Sequence, residues 1–150
     1  MKPKDFLTKE QQEAVVAAVM AAEKATSGEI RVHIESKCDG DPKIGALRTF
    51  HKLKMDRTAA RNGVLVYVAC ESKKFAVIGD KGINNLVPDG FWKDVVAKMG
   101  EHFSQSDFTG GLVEGIAMIG EKLKVYFPYQ ADDVNELSDD ISFGEDSDKK

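Results

Sequence analysis

The 150-residue chain is 42% hydrophobic and 31% charged, the composition of a soluble globular protein, and its length suits one domain with a real core. Its formal net charge of −4 argues against general binding to nucleic acid or to an anionic membrane, which needs a basic face. No stretch is long and apolar enough to span a bilayer and no signal-peptide pattern follows Met1, so no membrane span and a cytoplasmic location are expected. Cys38 and Cys70 lie far apart in sequence. They fit neither a disulfide scaffold nor a CxxC metal site, and read as two reduced thiols with no zinc.

The spacing predicts an opening helix over 8–25, where Thr8 and Gln11 form a capping box and Val15, Ala18, Val19 and Ala22 form an apolar stripe. "EIRVHIE", 29–35, alternates as a half-buried strand. Pro42 can start a second helix bearing Ile44, Leu47, Phe50, His51 and Leu53. "VLVYVAC", 64–70, is nearly continuous and β-branched, as a central strand with two buried faces should be. The turn Glu71–Lys74 returns the chain as "FAVIG", an antiparallel third strand.

After Gly79-Asp80-Lys81-Gly82, "INNLV" predicts a short helix. Asp89 is then expected to cap a longer one with Trp92, Val95, Val96, Met99 and Phe103 on one face. A last helix, about 107–127, carries Leu112, Ile116, Ile119, Leu123 and Phe127. Gly111, Gly115 and Gly120 beside that stripe point to close packing. Residues 129–150 are acidic and aperiodic, and read as a disordered tail after a single domain of 1–128. The predicted fold is a three-layer α/β/α sandwich: a small mixed sheet with helices on both faces and its first two strands parallel, joined by a right-handed crossover.

That topology locates the chemistry. The segments leading into the two parallel strands share one end of the sheet with the exit of the third, so Glu29, Asn62, Asp80 and Asp107 are expected to converge there. Glu35, Cys38, Asp39, Asp41 and Glu71 collect at the other end. Converging carboxylates repel unless compensated. A hard cation does this with oxygen ligands, calcium tolerates irregular shells, and Gly79 and Gly82 would turn backbone carbonyls inward. Against this, Asp80 and Asp107 each stand where a helix cap is wanted. "CDGD", 38–41, lacks EF-hand spacing and reads as a solvated turn. His33, His51 and His102 show no ligand spacing, and no GxSxG, Walker or CxxC pattern occurs.

Three segments in order, "SGEIRVHI", "RNGVLVYVACESKKFAVIGDKGIN" and "FSQSDFTGGLVEGI", give residues 8–127 a pattern that resembles the TPM domain family. That family includes thylakoid-lumen proteins of photosystem II repair and many bacterial envelope proteins. The resemblance implies an α/β/α sandwich, divalent-cation binding (calcium in particular) and, for some members, acid phosphatase activity. The family's turn after the strand falls on Gly79–Gly82 with one extra residue between the glycines. Its segment before the last helix falls on Ser106–Gly110, and its first strand starts at Gly28-Glu29.

The leading functional expectation is a calcium-binding module, with Mg2+ or another divalent ion also admissible, that arranges loops for a protein partner the sequence does not identify. Its expected ligands are Glu29, Asn62, Gly79, Asp80, Gly82 and Asp107. A metal-assisted phosphomonoester hydrolase is the alternative, with Lys81 and Arg61 facing the phosphoryl group. A structural scaffold is the third.

Overall fold

The computed structural model describes residues 2–130 and 135–144. After a short 3-10 turn at Pro3–Asp5 come α1 (Lys9–Glu23), β1 (Glu29–Glu35) and α2 (Pro42–Lys52). A second 3-10 turn (Met55–Arg57) leads to β2 (Gly63–Ala69), β3 (Lys74–Gly79), α3 (Lys81–Asn84), α4 (Lys93–Ser104), α5 (Phe108–Tyr126) and β4 (Ser142–Phe143). The capping box forms as the sequence suggested: Gln11 N donates to Thr8 Oγ1 at 3.1 Å and Thr8 N to Gln11 Oε1 at 2.9 Å. Asp89 does not cap α4, which begins at Lys93 with Trp92 at the cap position.

The sheet order is β3-β2-β1-β4. β1 and β2 are parallel, with Glu29 opposite Gly63 and Glu35 opposite Ala69. β2 and β3 are antiparallel, with Val64 opposite Gly79. Period-2 alternation then divides the core. Ile30, Val32 and Ile34 of β1 and Val64, Val66 and Val68 of β2 meet α1, α4 and α5 on one face. Leu65, Tyr67 and Ala69 meet Ala46 and Phe50 of α2 on the other. Every residue of β2 is buried, as expected of a central strand in a three-layer α/β/α sandwich.

The α5 glycines let helices close on one another. A Cβ on Gly115 would stand 2.6 Å from Met99 Sδ of α4, and one on Gly120 2.8 Å from Ala22 Cβ of α1. Among the described residues no helix is long and apolar enough to cross a membrane.

The tail departs from expectation where it is described. Residues 135–144 run along the open edge of β1, and Ser142–Phe143 pair in parallel with His33–Ile34. Ile141 and Phe143 pack on the main core, which supplies burial that a polar tail would lack. Two apolar residues are too few for periodicity to reveal. Residues 131–134 and 145–150 of the expected tail lie outside the described residues.

Candidate functional site

The parallel pair does bring Glu29, Asn62 and Asp80 to one end of the sheet. Asp80 N donates to Gly63 O at 3.0 Å, and Glu29 N to Asn62 O at 3.3 Å. Asn62 is buried; its Nδ2 donates to Ser27 O at 3.3 Å and its N to Thr58 Oγ1 at 3.3 Å, so it laces the starts of β1 and β2 together.

Asp80 is only 6% exposed, and its charge is already answered. Arg61 Nε donates to Oδ2 at 2.7 Å and Arg61 Nη2 to Oδ1 at 3.0 Å, while Lys81 N donates to Oδ1 at 2.7 Å as the cap of α3. This bidentate pair raises the Arg61 guanidinium further above its ordinary pKa. Arg61 reaches the carboxylate from a left-handed backbone conformation, φ 51°. The glycines serve packing and local bonding. Gly79 O accepts from Asn84 Nδ2 at 3.0 Å. A Cβ on Gly82 would collide with the carbonyls of Ala60 and Arg61, so glycine lets α3 close onto that loop. Lys81 is exposed and contributes its backbone N–H to Asp80. Arg61, expected to face phosphate, is instead committed to Asp80.

Asp107 does not join this group. The end of α5 lies at the start of β1, where Ser27 N donates to Phe127 O at 2.9 Å. The 19 residues of α5 span about 28 Å at 1.5 Å per residue. Its first turn therefore lies at the opposite end, where Ser106 and Phe108 line a cavity with Val68, Ala69 and Cys70. There Asp107 caps α5, accepting from Gly110 N at 3.0 Å, and takes a 2.8 Å bond with His102 Nδ1. His102 Nε2 meets Glu114. Glu114 and then Asp107 raise the His102 pKa above its ordinary value; His102 in turn holds Asp107 below the usual carboxylate range.

Sequence reasoning missed the carboxylates that do surround Glu29. Glu29 is 3% exposed and its Oε1 accepts from Leu137 N at 2.6 Å. Glu23, at the end of α1, accepts from Ile30 N at 2.8 Å. Burial, followed by a hydrogen bond with Asp139, pushes the Glu23 carboxyl up to about 9. Glu23 is therefore protonated at neutral pH. Glu23, Glu29, Asn135 and Asp139 line one cavity of about 190 Å³. Glu23 looks like an ordinary solvated residue in the α1 pattern, and Asp139 is one of many acids in the tail, so neither carried a signal. As they stand, no three His, Cys, Asp or Glu side chains among the described residues are grouped to hold an ion.

A profile of the TPM domain matches residues 1–122. The solution structure of the BA42 protein from the psychrophilic bacterium Bizionia argentinensis is 48% identical and superposes with a TM-score of 0.88, covering 95% of this chain and 99% of that one. Two more distant neighbours share the fold. The N-terminal domain of the cg2496 protein from Corynebacterium glutamicum is 16% identical, with a TM-score of 0.62 over 78% of this chain and 74% of that one. The N-terminal domain of a P. gingivalis protein is 19% identical, with a TM-score of 0.66 over 84% of this chain and 83% of that one. No curated protein matches the chain.

Proposed function

The chain belongs to the TPM domain family, and from that premise we propose that it is a divalent-cation-binding module, calcium first, with its site around Glu29. The observation that supports the reading is the cavity Glu29 shares with Glu23 and Asp139. Carboxylate and amide oxygens on this scale suit a hard cation, and calcium accepts the irregular shell they would form. Binding an ion among these carboxylates would displace the proton that burial keeps on Glu23.

The carboxylates must draw together to enclose an ion. Asp139 comes from the C-terminal segment and Glu23 from α1, so binding would fasten that segment to the body of the domain. This gives the module a cation-controlled element for a protein partner to sense. In the same reading, Asp80 with Arg61, Asn62 and Gly82 holds the loop that supports the site, and Asp107 has no part in it.

Calorimetric titration with calcium chloride tests this. The wild type is expected to give saturable binding with release of about one proton per ion near neutral pH. Glu29→Gln and Glu23→Gln should each weaken binding roughly tenfold or more, and Asp107→Asn should leave it unchanged. Absence of saturable binding, or full affinity in both glutamine variants, overturns the assignment. Calcium-dependent hydrolysis of a phosphomonoester that Glu29→Gln abolishes would shift the reading to a metal-assisted phosphatase.

A further inference from the structure

The face of the sheet under α2 is not filled to its end. β1 alternates Arg31, His33 and Glu35 onto this face, and the apolar cluster of Phe50, Leu65 and Ala69 gives way to polar groups beside Tyr67. Between α2, the ends of β1 and β2, and β4 lies a cavity of about 500 Å³. It is far from Asp80 and from the Glu29 cavity, since Glu35 and Ala69 mark the finishing ends of their strands.

The polar floor is built and held. His33 and Tyr67 are direct cross-strand partners, and their rings stack at 5.9 Å with 9° between planes. His33 Nε2 bonds Glu35 Oε1 and His33 Nδ1 bonds Ser142 Oγ, both at 3.0 Å, so the C-terminal strand forms one wall. Glu35 also accepts from Ser36 N at 3.3 Å, and its carboxyl lies below the ordinary range, first because of the His33 bond. Burial, then a bond with Cys38, pushes the Tyr67 phenol up, so it stays protonated. Gly45 lets α2 approach this floor: a Cβ there would stand 2.9 Å from both Tyr67 Oη and Cys38 Sγ.

Lys37, Arg48 and Lys52 line the cavity together with Glu35 and Asp39. Lys37 stands 4.0 Å from Glu71, and Glu35 bonds the His33 ring at 3.0 Å. Arg48 and Lys52 lie one helical turn apart on α2; Arg48 is in no ion pair among the described residues, and Lys52 acts at longer range on the Glu35 carboxylate. Beside them Ile44 and Leu53 add an apolar wall, and Ile44 is exposed. An arginine fork and a lysine at one rim suit an oxyanion, and the apolar wall beside them suits an organic carboxylate better than inorganic phosphate.

We propose that this cavity binds a small organic monocarboxylate, with its carboxylate on Arg48 and Lys52 and its apolar body against Ile44 and Leu53. The site is independent of the cation reading. Its test is an amide NMR titration of the full chain with sodium benzoate, beside benzyl alcohol and inorganic phosphate at matched ionic strength. Benzoate is expected to give saturable shifts over 33–35, 44–53 and 142–144, with a Kd on the order of 1 mM. The double variant Arg48→Gln/Lys52→Gln, whose side chains lie at the exposed rim, should keep the folded spectrum and bind benzoate at least roughly tenfold more weakly. Glu29→Gln should bind it as the wild type does. The proposal is overturned by no saturation, by benzyl alcohol binding as well as benzoate, by phosphate binding these amides more tightly, or by undiminished binding in a folded double variant.

Discussion

Carboxylates stand at both ends of this sheet, but the start of the parallel strands buries them while the finish leaves them near water beside histidine. At the start, Asp80 is enclosed with Arg61, and Glu23, Glu29 and Asp139 share a cavity in which one carboxyl keeps its proton. At the finish, Asp107 and Glu114 flank His102, and Glu35 meets His33. A carboxyl that burial keeps protonated holds free energy that a cation can release, whereas an exposed one has already been satisfied by solvent and a neighbour. The comparison therefore favours the start of the strands for cation chemistry and gives the histidine-bound carboxylates at the finish a structural role.

The sharpest way to break the contrast is Asp80→Ala. It removes both bonds to Arg61 and the cap of α3, and leaves a guanidinium that is 33% exposed in its side chain. Loss of one partner of a buried pair costs about 3–5 kcal/mol, and partial exposure of Arg61 reduces this to about 2–3 kcal/mol in urea unfolding. The equivalent change at the other end, Asp107→Ala, removes an exposed cap and should cost clearly less than Asp80→Ala. Equal losses from the two substitutions would remove the distinction between the ends.

Asp80 and Asp107 looked alike in the sequence because each follows a break and precedes a helix. Strand pairing settled the position of Asp80, since an antiparallel hairpin on a parallel pair leaves no choice of end. Nothing comparable constrained Asp107: a helix of 19 residues crosses the whole domain, and its direction depends on α1 and α4 packing against its glycines. The fold was legible because alternation in β1, continuity in β2 and the short turn before β3 are local signals. Glu23 was not, because its raised pKa comes first from burial that the C-terminal segment helps complete and then from Asp139.

Glu23 offers a second test through pH. Its folded pKa, about 9, lies above the ordinary value of 4.5, so above pH 4.5 the unfolded chain releases a proton that the folded chain keeps. Stability without calcium should therefore fall as pH rises from about 4.5 toward 9, and Glu23→Gln should flatten that slope. At pH 7 the variant is expected to be more stable than the wild type by about 1–3 kcal/mol, the scale for relieving a poorly satisfied buried polar group. Urea unfolding at pH 5 and pH 8 checks the sign.

His102 gives the smallest effect and the opposite end's counterpart. Its folded pKa is raised, so its contribution is present in full below the ordinary histidine value and disappears as pH rises through the raised one. His102→Asn should lower the thermal midpoint at pH 5.5 and change it little above pH 8.5. A loss that is constant across this range would assign His102 to packing instead of charge.

The central claim, that the ion chemistry belongs to the start of the parallel strands around Glu29, is tested most directly by mapping calcium-induced amide shifts in the full chain. The account predicts saturable shifts at residue 23, at 28–30 and over 135–140, reduced by Glu29→Gln and unaffected by Asp107→Asn. Saturable shifts centred on 106–110 around Asp107 would contradict it.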